Sequence, residues 1–126
     1  LRFAASLHDT KRVDDSYDTE HGYRAALYSI DYAKINENDK NILQAVLATH
    51  SRSDSKMDQT IEEFFVKDMD RARFLSKLFK DADALDRVRL KDLDEKYLRN
   101  DFSLDLVDFS DKLFKKYMER QWKKIL

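Results

Sequence analysis

Apolar residues recur every three or four positions through much of this 126-residue chain, which is the spacing of one face of an α-helix. Ile42, Leu43, Val46 and Leu47 show the pattern most clearly. Gly occurs once and Pro not at all, and this shortage disfavours sheets joined by tight turns. The pattern therefore predicts an all-α fold.

The first half of the chain is predicted to hold three helices separated by polar connectors. The first ends near His8 and is followed by a charged loop. The second runs from about 20 to 35, with apolar positions that include Tyr28 and Tyr32. Asn38 is placed to cap the third helix, which should end near His50.

The second half is predicted to contain one long helical stretch and a separate last helix. The stretch spans about 58 to 90 with a break near 67 to 70, and a loop follows from 93 to 102. Ser103 is placed to cap the last helix. The apolar stripe of that helix consists of Leu106, Phe109, Leu113 and Tyr117.

Composition fits one globular domain over residues 1–126, a single helical bundle. The chain is 39% charged and 42% hydrophobic, its formal net charge is −1, and no apolar run nears the ~20 residues that span a bilayer. We therefore expect no membrane partner, and a nucleic-acid partner is disfavoured. The absence of Cys fits a reducing, cytoplasmic location. The expected aromatic core consists of Phe64, Phe65, Phe74 and Phe79.

The chain begins in a way that suggests a missing upstream segment. Residues 1–7 read as the second half of a buried helix, and no N-cap residue precedes them. We therefore expect one or more helices before Leu1.

The three histidines of the sequence lie at predicted helix ends. His8 and Asp9 directly follow an apolar helix, His21 begins a helix in the order Glu-His-Gly, and His50 closes another. Side chains at the junction of a rigid helix and a loop are well placed for a functional site. Each histidine also has a purely structural interpretation, as a helix cap or as a charge at a helix end.

Three further aspartates come late, in the run Asp81-Ala82-Asp83-Ala84-Leu85-Asp86. Asp81 and Asp83 lie about equally far from the apolar stripe of their helix, on opposite sides, so periodicity does not choose between them. Asp86 falls nearer the stripe, and a pairing with Arg89 at i+3 explains it.

This order of motifs resembles the HD-domain phosphohydrolase superfamily over roughly residues 3 to 90. The resemblance implies a helical bundle of the HD-domain type that carries one or two divalent metal ions. It assigns the His-Asp pair to His8 and Asp9, the late ligand to Asp83, and the two additional ligands of a second metal to His21 and His50. Asp81 is the fallback for the late ligand. The family's first histidine would lie upstream of Leu1.

Imidazole and carboxylate ligands together suit Mn, Fe, Co, Ni or Zn. In the resemblance Asp9 bridges the ions, which activate a hydroxide for attack on phosphorus. The loop Thr10-Lys11-Arg12 lacks the glycine common in the family but keeps a cation at Arg12. We assign catalytic roles to Asp9, Lys11 and Arg12. The expected phosphate-binding residues are Arg12, Arg24 and Arg52.

The function that this resemblance implies is hydrolysis of a phosphate ester in a nucleotide or small phosphorylated metabolite. A non-catalytic HD-type domain that binds a nucleotide or a protein partner is the main alternative. A third hypothesis is a mixed-valent di-iron oxygenase, because some relatives use a similar ligand cage for oxygen chemistry. The last helix is basic, for which a solvated face is the usual interpretation and a partner surface the alternative.

Overall fold

Every regular element of the structure, a computed structural model that describes all residues from Leu1 to Leu126, is helical. The all-α prediction is confirmed. Contacts divide the chain into two compact units, Leu1–Phe79 and Lys80–Leu126. None of the helices combines the length and the apolar character needed to cross a membrane.

The first unit is built from four complete α-helices and the beginning of a fifth. Short 3-10 turns at Ile30–Tyr32 and Asp54–Lys56 join them. The helices are α1 (Arg2–Leu7), α2 (His21–Tyr28), α3 (Glu37–Ser51), α4 (Met57–Glu62) and α5 (Met69–Leu85). A break was predicted near 67 to 70. The structure has one slightly earlier, over 63–68, because α4 ends at Glu62 and α5 begins at Met69.

Two boundaries in this unit differ from the prediction. Helix α2 stops at Tyr28 rather than near 35, and Tyr28 and Tyr32 are exposed to solvent. The N-cap of α3 is Asn36 instead of Asn38, since the Asn36 side chain accepts the backbone N–H of Asp39 at 2.9 Å. The cap therefore lies two residues earlier than the sequence pattern indicated.

Helix α3 lies at the centre of the first unit and is its most buried element. Leu47 is fully buried, and Phe64 and Phe79 also belong to the core, as predicted. The same prediction was wrong for Phe65 and Phe74, which are 85% and 52% exposed. Phe65 follows the end of α4 with a left-handed backbone (φ 54°), and Phe74 lies off the buried face of α5.

The second unit contains the end of α5 and two further α-helices. Helix α5 continues into a 3-10 turn at Asp86–Leu90, and a second turn lies at Glu95–Tyr97. The α-helices are α6 (Asp101–Leu104) and α7 (Val107–Ile125). Ser103 does not cap the last helix, because it lies within α6 and Leu106 is the residue before α7.

Asp81 joins α5 to the segment before α7. Its buried carboxylate accepts the backbone N–H groups of Arg99 at 2.8 Å and Asn100 at 2.9 Å, and the hydroxyl of Ser103 at 2.8 Å. The Asn100 side-chain amide donates a further bond at 2.8 Å. Burial raises the pKa of Asp81, but these donors outweigh it and hold the pKa below its ordinary value.

Candidate metal centre

All three histidines form the same local hydrogen bond. Each ring directs Nδ1 at the backbone carbonyl oxygen three residues earlier, at 3.0 Å for His8, 2.6 Å for His21 and 2.6 Å for His50. A carbonyl oxygen can only accept, so the neutral ring carries its proton on Nδ1. Each Nε2 is thereby left with a lone pair, which is the state in which imidazole binds metal.

The three Nε2 atoms converge on Asp9. The Asp9 carboxylate lies 3.2 Å from the Nε2 of His8, 3.2 Å from that of His21 and 4.0 Å from that of His50. The potential ligand atoms of His8, Asp9 and His50 all lie within 4.8 Å of one another. The structure thus brings together four of the five ligands that the family resemblance implied.

His21 and His50 make the closest contact in the cluster, with their Nε2 atoms 2.9 Å apart. When both rings are neutral, their Nδ1 protons are used elsewhere, so two lone pairs face each other at this distance. Two ligand nitrogens at ~2.1 Å from one ion, at a right angle, would lie about 3 Å apart. The donor set therefore fits a divalent cation bound by both rings.

Burial differs across the cluster and keeps His50 unprotonated. His21 and His50 are 4% and 9% exposed, whereas the side chain of Asp9 is 54% exposed. The ring of Phe79 packs edge-on against His8 at 5.4 Å and against His50 at 5.9 Å. Desolvation lowers the pKa of His50 to about 4, so this ring is neutral near pH 7. The cluster has a buried imidazole side and a solvent-facing carboxylate side.

Gly22 allows α2 to approach α3 at the position of His50. A Cβ atom on Gly22 would lie 2.1 Å from the carbonyl oxygen of Leu47 and 2.6 Å from the Nδ1 of His50. The hydroxyl of Ser51 joins the same two helices, accepting the Gly22 N–H at 3.2 Å and donating to the carbonyl of Thr19 at 2.7 Å. Gly22 was not assigned a role from the sequence, although it is the only glycine and directly follows His21.

A pair of hydroxyls holds the segment after Asp9. Thr10 donates to the carbonyl oxygen of Leu7 at 2.7 Å, and its Oγ1 lies 2.7 Å from the buried hydroxyl of Ser29 at the end of α2. This contact links the His-Asp turn to the helix that carries His21. No local sequence pattern indicates it, because the two residues are 19 positions apart.

Of the expected cations, Arg12 lies beside the cluster. Its guanidinium is 3.5 Å from the Nε2 of His21 and is held by the carbonyl oxygens of Asp14 and Ser16 at 2.9 and 3.1 Å. Lys11 is exposed to solvent in the same turn. Arg12 is thus an expected phosphate-binding cation that contacts a histidine of the cluster.

Arg24 and Arg52 are engaged by carboxylates of the chain itself. Arg24 pairs with Asp18. Arg52 pairs with Glu20 at 2.7 Å and with Glu63 at 3.3 Å. Its guanidinium also lies 4.5 Å from the ring centre of Tyr23. Glu20 directly precedes α2, and Arg52 directly follows α3. Their ion pair therefore joins the start of α2, which carries His21, to the end of α3, which carries His50.

The two late aspartates differ in their surroundings. Asp81 is 1% exposed, and its carboxylate oxygens are occupied by the donors before α7. Asp83 is exposed. An ion would have to displace several hydrogen bonds to bind Asp81. The assignment of the late ligand to Asp83 stays a prediction.

No protein-family model, curated protein or solved structure matches the chain.

Proposed function

We propose that this chain is a metal-dependent phosphohydrolase of the HD-domain type that acts on a phosphate ester of a nucleotide or small phosphorylated metabolite. The observation that carries the proposal is the convergence of three Nε2 lone pairs on the Asp9 carboxylate. Nδ1 bonds to carbonyl oxygens fix the orientation of each ring before any ligand binds.

The proposed ligands are His8, Asp9, His21 and His50, with Asp83 added from the family resemblance. Bound divalent ions would supply an activated water and neutralise charge on the phosphate oxygens. Arg12 is anchored by two carbonyl oxygens and directs its guanidinium towards the cluster, so it can bind a phosphate oxygen beside His21. Lys11, exposed in the same turn, can supply a second positive charge.

A non-catalytic domain of the same type is the second candidate, and one observation favours it. Arg24 and Arg52, which were expected to bind phosphate, are paired with Asp18 and with Glu20 and Glu63. Fewer cations are then available to stabilise a transferring phosphoryl group. This candidate predicts metal or nucleotide binding without turnover.

The test is a measurement of metal content and phosphate release on the same protein samples. The protein is loaded with Mn²⁺, Fe²⁺, Co²⁺, Ni²⁺ or Zn²⁺, freed of excess ion, and analysed for bound metal and for phosphate release from a panel of nucleotides and sugar phosphates. Asp9→Asn is compared with Asp31→Asn, which makes the same charge change at an exposed position. We expect Asp9→Asn to lose both metal and turnover, and Asp31→Asn to keep both.

The outcomes separate the candidates. Metal binding that depends on Asp9, without phosphate release from any substrate of the panel, would favour the non-catalytic domain. Iron binding with a spectrum that depends on oxidation state, and no phosphatase turnover, would favour the oxygenase hypothesis. Unchanged metal content in Asp9→Asn would overturn the site itself.

A further inference from the structure

Helix α7 presents an unusually exposed apolar stripe. No residue of this helix is buried. Leu106, Phe109, Leu113 and Tyr117, spaced three or four residues apart, are between 40% and 58% exposed. Contiguous apolar surface of this kind commonly marks an interaction site.

The stripe forms one wall of a groove within the second unit. The groove has a volume of about 630 Å³, and Leu85 and Val88 lie in the opposite wall, next to the turn Asp86–Leu90. Phe114 adds a further aromatic ring to the α7 wall. A groove lined by large apolar side chains suits the apolar face of another helix.

Charges at the two ends of the stripe have opposite sign. Asp101 and Asp105 precede the stripe, while Arg120 and Lys124 continue its three-and-four spacing towards the C-terminal end. All four are exposed, and none has an ion-pair partner in the structure. An apolar centre with unpaired acids at one end and unpaired bases at the other is complementary to an antiparallel copy of itself.

Four charges in the first half of α7 pair within the helix itself. Asp108 pairs with Lys112 at 2.6 Å, and Asp111 pairs with Lys115 at 2.5 Å, both within the helix at i,i+4. Those four charges need no partner from another molecule. The remaining charges of α7 are Lys116, Glu119, Arg120, Lys123 and Lys124, four bases and one acid, so the C-terminal end of the stripe is basic overall.

We propose that the α7 stripe is a homodimer interface in which two α7 helices pack antiparallel about a two-fold axis near Leu113. In this arrangement Leu113 meets its own copy, and Phe109 lies opposite Tyr117. Asp101 and Asp105 of one molecule then approach Arg120 and Lys124 of the other. A parallel pairing would place like charges together. An anionic membrane would complement only the basic end of the stripe.

The experiment is a charge-swap complementation measured by sedimentation velocity on the full chain. One variant carries Asp101→Lys and Asp105→Lys, and the other carries Arg120→Glu and Lys124→Glu. In an antiparallel homodimer of either variant, the altered end of each molecule meets an end of the same charge on the other molecule. We expect the dimer dissociation constant of each to rise at least about tenfold, and a one-to-one mixture to form a heterodimer with nearly the wild-type constant. Circular dichroism establishes that both variants are folded.

Leu113→Asp provides a second test that does not depend on the charged ends, and because Leu113 is 56% exposed the change should leave the fold intact. We expect this variant to be monomeric. The proposal is overturned by a wild-type chain that stays monomeric, by a dimer unaffected in all three variants, or by a mixture that fails to associate. Binding of the monomer to vesicles containing anionic lipid, without self-association, would identify a membrane as the occupant instead.

Discussion

The Nε2 atoms of His21 and His50 lie 2.9 Å apart, although both rings donate their Nδ1 protons to carbonyl oxygens of their own segments. When both rings are neutral, two lone pairs face each other inside a buried site. This is unfavourable, and a bound cation removes the conflict. Gly22 and Arg52 help to position these two rings. We therefore expect the rings to be more stable in this position when a cation is bound than when the site is empty.

The first prediction concerns metal-induced stability. A divalent ion that binds only the folded chain should raise the free energy of unfolding, by about 2.7 kcal/mol at a free concentration 100 times the Kd. His50→Gln should lose most of this gain because it removes one of the two facing nitrogens. Thermal unfolding with and without Mn²⁺, Co²⁺ or Zn²⁺ measures the effect, with Asp31→Asn as the control. An equal gain in His50→Gln would place the ion elsewhere.

The second prediction concerns pH in the metal-free protein. The pKa of His50 is about 4 in the folded state and near 6.5 in the unfolded state, so between these values the unfolded chain binds more protons. The free energy of unfolding should therefore fall as the pH is lowered from about 6.5 towards 4, by an amount of order 3 kcal/mol from this residue. Above pH 6.5 His50 is neutral in both states and contributes no slope.

Urea unfolding at stepped pH in the presence of a chelator measures this dependence. His50→Gln should flatten the curve between pH 4 and 6.5, because glutamine does not titrate. The same slope in wild type and variant would mean that other groups control acid stability.

The third prediction concerns Gly22→Ala. On an open helix surface this change stabilises by roughly 0.5–1 kcal/mol, but here the new methyl group would overlap the Leu47 carbonyl and the His50 ring. We expect a loss of about 1–3 kcal/mol together with weaker metal binding, because the ring must move. Chemical denaturation and metal titration of the same variant test both effects. A more stable variant with unchanged affinity would contradict the close packing of α2 on α3.

The fourth prediction separates the two late aspartates. Asp81→Asn places an amide where several donors now point, and we expect it to destabilise the fold by about 2–3 kcal/mol. Asp83→Asn should cost less stability but reduce metal content, since the proposed function makes Asp83 a ligand. Urea unfolding and elemental analysis of both variants decide the matter. Metal loss in Asp81→Asn alone would reverse the assignment.

The fifth prediction contrasts two arginines. Arg52→Lys should weaken the contacts with Glu20 and Glu63 and lower the free energy of unfolding by about 1 kcal/mol. The KM of the folded variant for a phosphate ester should stay close to that of the wild type. Arg12→Gln should leave metal content intact and raise KM for a phosphate ester. Steady-state kinetics beside denaturation curves distinguish the roles. A rise in KM confined to Arg52→Lys would restore Arg52 as a substrate residue.

The sequence was informative where local pattern determines structure. His8, His21 and His50 lie at the ends of α1, α2 and α3 as predicted, because the change from apolar to polar residues marks those ends. The pairing of Asp86 with Arg89, at 2.6 Å, is confirmed for the same reason.

The pattern was less informative where the outcome depends on backbone detail or distant contacts. Asn36 and Asn38 are equally good caps by composition, and only the geometry of the first turn selects Asn36. Phe65 is exposed because α4 has already ended. The contact between Arg52 and Glu20 joins residues 32 positions apart, so no local spacing indicates it.

The bond between His8 and Ala5 has a consequence for how this site can be changed. Ala5 lies in the last turn of α1, where carbonyl oxygens lack backbone partners, and the imidazole supplies one at 3.0 Å. His8 therefore terminates its helix with one nitrogen and faces Asp9 with the other. An engineered change of ligand at this position has to replace both nitrogens, and a side chain that offers only a metal-binding atom would leave the end of α1 unsupported.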